Sequence, residues 1–440
     1  MNKTILGALA LFLSASPLSF ALASPKSDFA AEAKFQAAAA MFAGKPQEAC
    51  DKLEKSYDLN TVTDTDVLYI RGQCLQVLGR HGEAIPFYER ILQINPNARA
   101  VRPHLVNAYN LSGNKDKMRD EMKEILRNDP PEDMAENIRS ALASEQAQKP
   151  WFLSTEAGLI YDSNISAGPD STQITAFGLP FTLGTASREQ DSAGHVLSLS
   201  GGYRFDLQNN FGIVAQGSYD ETNYFENNTF DSQYAGLSLG PVYRIGNWNL
   251  NANVTAGWRA LDGDTYTRSL GTNARAAYAI TPNLLLNASA SYVDNNYKGT
   301  SRDGNSTYIN LGTNYKLTET AMIYGGYFIG HDDTKDNKFQ GVKHGPHAGI
   351  IIKPLPEVTT RLNLSFSNAD YDGKDPAFGN QAREDNVYNA SARISYDVGQ
   401  FVHVDNLALN LNLGYTRADS NIKIYDYNRQ TTTLSISKSW

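Results

Sequence analysis

Few side chains in this chain stand where they could make or break bonds. The densest group of metal-type ligands is His331-Asp332-Asp333, with Asp336 close behind. A hard cation needs several oxygens at once, so the group reads either as a cation site or as a solvated acidic loop. His344 and His347 are three apart; in a strand that spacing sends them to opposite faces and argues against joint ligation. The sequence contains no H-E-x-x-H, G-x-S-x-G or P-loop pattern and no cysteine cluster. We therefore assign no catalytic residue, metal or cofactor, and the chain reads as a non-enzyme. Its two cysteines, Cys50 and Cys74, read as a disulfide in an oxidising compartment or as two buried thiols.

The elements around these residues say more. From residue 151 the sequence keeps a two-residue beat for nearly three hundred residues. In 248–260, Trp248, Leu250, Ala252, Val254, Ala256 and Trp258 alternate with Asn249, Asn251, Asn253, Thr255 and Arg259. In 407–415, Leu407, Leu409, Leu411, Leu413 and Tyr415 alternate with Ala408, Asn410, Asn412 and Gly414. Strands of about fifteen residues are long for a soluble sandwich but fit a tilted span of a bilayer. Only a closed barrel pairs all the backbone groups of such strands in lipid. Fourteen strands are expected: 151–164, 191–205, 209–223, 231–245, 247–261, 264–280, 282–297, 303–317, 319–333, 338–353, 356–371, 383–398, 402–418 and 424–440. Short turns, as at Gly246-Asn247, would be periplasmic; the longest connections, 165–190 and 372–382, would be extracellular. Gly240-Pro241 and Gly345-Pro346 each predict a bulge or a weakened pairing. Arg204, Arg259, Arg275, Arg361 and Arg393 fall on lumen positions. They either line a path for an acidic substrate or brace the interior against carboxylates.

Residues 1–23 read as a secretory signal: Lys3, an apolar run from Ile5 to Leu13, then Ala21-Leu22-Ala23. Residues 24–150 read as a helical periplasmic domain. Gly79 and Gly113 lie 34 apart, as do Pro96 and Pro130, which is the tetratricopeptide period. Residues 64–97 carry Gly72, Gly79, Ala84, Phe87, Ile91 and Pro96; 98–131 repeat the unit loosely, 28–60 more loosely still, and 132–147 read as a capping helix. A stack of this kind makes a groove, here expected at Leu68, Leu75, Gln76, Arg99, Arg102, Tyr109 and Asn110. The groove reads as a seat for an extended client, or the stack merely holds the fold. The fold class is thus α plus transmembrane β: a tetratricopeptide helical repeat, then a 14-stranded antiparallel outer-membrane β-barrel over 151–440. The net charge of −8 argues against nucleic acid.

Two short elements are distinctive. Tyr161-Asp162-Ser163-Asn164-Ile165 ends the first expected strand. Arg417-Ala418-Asp419-Ser420-Asn421-Ile422, followed by Tyr425-Asp426-Tyr427-Asn428-Arg429, forms the last hairpin. With the helical repeat and the strand count, they resemble the surface lipoprotein assembly modulators, the Slam family of type XI secretion. The resemblance implies export of surface lipoproteins or soluble haem-binding proteins, delivered by a periplasmic chaperone, through a monomeric barrel set in outer-membrane lipid. Lys438 departs from the family by replacing an apolar residue. An exopolysaccharide-export porin and a passive porin or host-contact protein are the competing functions. First and last strands are neighbours in a closed barrel, so both Asp-Ser-Asn elements are expected at the outer end of the closing seam. There they either lock the rim or act as a latch for lateral opening.

Overall fold

The computed structural model describes residues 29–440 other than 129, 148 and 403. The secretory signal expected over 1–23 lies outside them. The chain divides into two compact units between Lys149 and Pro150.

The first unit is three helix pairs and a final helix: α1 (Phe29–Phe42), α2 (Pro46–Ser56), α3 (Thr65–Val77), α4 (His81–Ile94), α5 (Arg102–Leu111), α6 (Lys115–Arg127) and α7 (Glu132–Ala147). Each pair turns on a glycine of positive φ: Gly44, Gly79 and Gly113. The Asp64 carboxylate caps α3 by accepting from the Asp66 and Val67 amides, and Lys34 of α1 donates to its other oxygen at 2.8 Å. Leu53, Val67, Leu68, Leu75, Tyr88 and Leu105 are fully buried between the layers. Burial of each such side chain stabilises by roughly 1.5–3 kcal/mol. The Tyr88 ring fills the space beside Gly72, where a Cβ would come within 2.6 Å of it. A disulfide joins Cys50 of α2 to Cys74 of α3 across 24 residues of chain.

The second unit is a closed barrel. Its strands are β1 (Trp151–Asp162), β4 (Ser192–Asp206), β5 (Phe211–Tyr224), β6 (Ser232–Ile245), β7 (Trp248–Leu261), β8 (Asp264–Thr281), β9 (Leu284–Tyr297), β10 (Gly304–Thr318), β11 (Ala321–Thr334), β12 (Gly341–Leu355), β13 (Val358–Asp375), β14 (Gln381–Asp397), β15 (Leu407–Ser420) and β16 (Tyr427–Ser439). Each pairs antiparallel with its sequence neighbour, and β1 pairs with both β4 and β16 to close the ring of fourteen. Along β15, Leu409, Leu413 and Tyr415 are exposed on the outside, while Asn410 and Asn412 turn inward to bond other strands. The same outward apolar row recurs as Leu197 and Leu199, Leu237 and Leu239, Ile309 and Leu311, and Leu434 and Ile436. Water exposure of that much contiguous apolar surface is unfavourable, and hydrocarbon removes the penalty. Outward aromatic pairs sit near the short turns: Tyr203 with Phe205, Phe211 with Tyr243, Trp248 with Tyr278. Lys438 extends to the Asp405 carbonyl over the Trp440 ring, carrying its charge past the apolar band.

Two local expectations are corrected and a third is met. The 165–190 connection contains a hairpin, β2 (Gln173–Ala176) and β3 (Leu179–Thr182); its four-residue strands are too short for the alternation to register. The 372–382 connection is mostly strand, because β13 and β14 resume pairing at Lys374↔Ala382 beyond a register shift. Both Gly-Pro pairs mark a weakened pairing, one of the two expected outcomes, and neither makes a bulge. The ladder simply skips 240–241 between β6 and β7, and 345–346 between β12 and β13, with register kept on both sides. Proline lacks the N–H that would fill the gap.

Loss of the disulfide should loosen the helical unit through its unfolded state. Cys50→Ser with Cys74→Ser is expected to lower that unit's stability by about 3 kcal/mol for a loop of this length. Urea unfolding of the full chain followed at 222 nm measures it.

Candidate functional site: closing seam and helical groove

The β1–β16 seam is where the barrel closes, and polar groups concentrate on it. The backbone ladder runs from Ser154↔Ser439 to Asp162↔Thr431. Ser163 extends it: its amide donates to the Gln430 carbonyl and its Oγ accepts from the Gln430 amide, both at 2.9 Å. Asp162 turns inward and is fully buried. Its carboxylate accepts from Arg429 Nε of β16 at 2.9 and 3.0 Å, from Arg429 Nη2, from Tyr224 Oη of β5 at 3.0 Å and from the Asn164 amide at 2.9 Å. Asn164 is also fully buried, and its Nδ2 donates to the Asn428 carbonyl of β16 at 3.0 Å. A buried carboxylate held by a guanidinium and two further donors leaves no charge unpaired.

A second tier lies deeper in the lumen. Arg393 of β14 reaches past β15 and β16 to Glu156 of β1 at 2.8 Å, and also donates to Asn412 Oδ1 of β15 at 3.2 Å. Ser435 of β16 donates to the other Glu156 oxygen at 2.5 Å. Arg393 is therefore a brace. The other lumen arginines differ. Arg204 pairs with Asp206 of its own strand at 2.5 Å, and Arg259 lies 5.4 Å from the Tyr234 ring centre. Arg361 is exposed on the lumen face directly opposite Arg393 in register. Arg275 faces the lumen opposite Asn251.

Only the first Asp-Ser-Asn element lies on the seam. The second belongs to the β14–β15 boundary, one strand pair away. Asn421 exchanges hydrogen bonds with Glu384 of β14, at 3.1 Å from its amide and 2.9 Å to its Oδ1, and its Nδ2 donates to the Ala382 carbonyl at 2.8 Å. Asp419 faces outward and accepts from Arg417 at 2.8 Å, while Ser420 Oγ accepts from the Ile422 amide at 3.2 Å. The reason is register: β15 overshoots β16 at the loop end, so its last residues find β14 instead. The acidic group at 332–336 is also occupied by the protein itself. Asp332 accepts from Lys343 at 2.9 Å and from Ser306 at 2.7 Å.

The 163–191 connection is a strap. From β1 it reaches the loop between β13 and β14, where the Phe177 amide donates to the Ala377 carbonyl at 2.6 Å. In strand order that path passes β16 and β15.

In the helical unit, the expected groove residues separate. Leu68, Leu75 and Tyr109 are buried in the core. Arg102 is mostly buried in an ion pair with Glu121 at 2.6 Å. Gln76 accepts from Tyr88 Oη at 2.8 Å. Arg99 is exposed, and Asn110 accepts from Lys115 at 2.5 Å. The error is one of phase: α3 is buried at Val67, Leu68, Ile70, Arg71, Gly72, Cys74 and Leu75, nearly all round, so apolar periodicity could not single out one face. Besides Phe35 and Ile94, the exposed apolar residues of this unit include a repeat-equivalent row, Phe42, Val77 and Leu111, at 89, 66 and 44% exposure. Each stands two residues before its turn glycine, and the spacings of 35 and 34 were legible as a repeat in the sequence. Half-buried His104 of α5 bonds Tyr69 Oη of α3 through Nε2 at 2.8 Å and stacks on Tyr88. Burial lowers its pKa below the ordinary histidine value.

A family model described as surface lipoprotein assembly modifier matches residues 151–440, and a tetratricopeptide repeat model matches residues 65–98. A surface lipoprotein assembly modifier of Pasteurella multocida (strain Pm70) is 20% identical over 399 residues, covering 82% of this chain and 74% of that protein. Among solved structures, the CymD monoaromatic hydrocarbon channel overlaps 67% of this chain and 90% of its own, at TM-score 0.39 and 10% identity. OmpT of Vibrio cholerae overlaps 66% and 96%, at TM-score 0.38 and 8% identity. Likeness this loose says nothing about cargo.

Two outcomes are expected from this geometry. Arg429→Met leaves Asp162 buried and unpaired and should cost about 3–5 kcal/mol of barrel stability, read from the urea midpoint in detergent. Adding Asp162→Asn should recover part of it. In the helical unit, below about pH 6.5 the unfolded chain takes up a proton that folded His104 refuses. Stability should therefore fall as pH drops from 7.5 to 5.5, and His104→Phe should flatten that slope in thermal melts at 222 nm.

Proposed function

The chain belongs to the surface lipoprotein assembly modifier family, and from that premise we propose that it exports client proteins to the outer surface of the outer membrane. The clients are surface lipoproteins or soluble haem-binding proteins. In this reading the short turns, the helical unit and Trp440 lie in the periplasm, and the strap lies outside. A periplasmic chaperone delivers the client, and the helical unit receives it as an extended segment.

The observation that carries the receiving role is the row Phe42, Val77 and Leu111, left exposed at the same place in three successive helix pairs. Half-buried Asn107 and Asn110 of α5 lie on the helix that ends in Leu111. Amide side chains both donate and accept, which matches a peptide backbone of any sequence. Apolar side chains of the client would pack on the row and lose contact with water, at about 25 cal/mol per Å². A passive porin has no use for such a row.

The test is export in cells carrying the full chain and a surface lipoprotein. Phe42→Ser, Val77→Ser and Leu111→Ser together are expected to lower protease-accessible client at least tenfold, with the barrel still folded in the outer membrane. Undiminished display would remove the helical unit from the pathway. Display that is equally absent with the unaltered chain would remove the export reading itself.

A further inference from the structure

The seam and the lumen offer two routes across the barrel, and the structure treats them differently. Parting β1 from β16 breaks the ladder from Ser154 to Asp162 and the Ser163–Gln430 pair beyond it. It also separates Asp162 from Arg429, Asn164 from Asn428, and Glu156 from Ser435. Two tethers bypass the last hairpin altogether. Arg393 ties β14 to β1 inside the lumen, and the strap ties β1 to the β13–β14 loop at Ala377. A parted seam would also pull the Asp162 carboxylate away from its guanidinium, an ion pair and hydrogen bonds that only the closed seam keeps. The groups named are carboxylates, arginines, amides and hydroxyls.

Loopward of the Arg361–Arg393 level, the lumen wall on β13–β15 is of another kind. Asn363, Ser365, Asn389, Ser391 and Thr416 point inward there, neutral and polar. Asn389 and Ser391 stay exposed although they lie inside a closed ring, so solvent-filled space adjoins them. Amides and hydroxyls replace one another's hydrogen bonds along a moving polar chain and give it no deep charge trap.

We infer that the client passes through the lumen as an extended chain along this neutral wall, while the β1–β16 seam stays shut. The inference rests on the export reading, and the experiment separates the two.

Cysteines are placed at Leu159 and Leu434, register partners on the lipid face, and cross-linked by oxidation in the full chain. Export of a surface lipoprotein is expected to stay within twofold of the uncross-linked protein; a tenfold loss that reverses on reduction overturns the closed seam. Separately, Ser391→Trp with Asn389→Trp narrows the lumen. It should lower both export and single-channel conductance in planar bilayers at least threefold, with the folded barrel fraction unchanged. Export that survives this narrowing overturns the lumen route. Should even the unaltered chain display no client, the export reading fails, and conductance still judges the route. It should fall with the tryptophans and ignore the cross-link; the opposite pattern overturns the proposal.

Discussion

A strand in hydrocarbon cannot leave an amide or carbonyl unpaired, because no water is there to take its place. That constraint organises everything from Trp151 to Ser439. Thirteen of the fourteen strand pairings come from chain neighbours, where a turn or loop brings the partners together. The fourteenth, β1 with β16, joins residues nearly three hundred positions apart and has no connecting turn. The barrel is a barrel because that one pairing forms.

The seam's reinforcement follows from its lack of a turn. Elsewhere a connection fixes register; here side chains must do it. Asp162 accepting from Arg429, Ser163 copying a backbone pair with Gln430, and Asn164 holding the Asn428 carbonyl set the loop end of the register. Glu156, tied to both Ser435 and Arg393, sets the middle. At the other end the Trp440 amide donates to the Leu153 carbonyl at 2.9 Å. A slip by one residue would put every outward leucine inside, so three levels of registration serve the same requirement.

The barrel was readable in the sequence because a half-wet, half-apolar strand writes its geometry in every second residue, as in Leu407 to Tyr415. The helical repeat was readable because its turn glycines recur at fixed spacing. The seam partners were harder. Glu156 and Arg393 look like ordinary lumen residues until the ring closes, since strand alternation says which face a residue takes and nothing about which distant residue it meets. The second Asp-Ser-Asn element misled because the overshoot of β15 over β16 is a register fact, invisible to local pattern. In the helices, a nearly all-round buried α3 hid the groove phase, and Leu68 and Leu75 belong to the core. The apolar residues left exposed at repeat-equivalent places are instead Phe42, Val77 and Leu111.

Fold and function both rest on side-chain alternation about a closed sheet in lipid. Nitroxide labels placed singly from Leu409 to Gly414 in bilayer-reconstituted protein test this most directly. Oxygen, which concentrates in hydrocarbon, should relax labels at 409, 411 and 413, while a water-soluble nickel chelate should relax those at 410, 412 and 414. Labels that all respond alike, or that alternate in the opposite sense, would contradict the account.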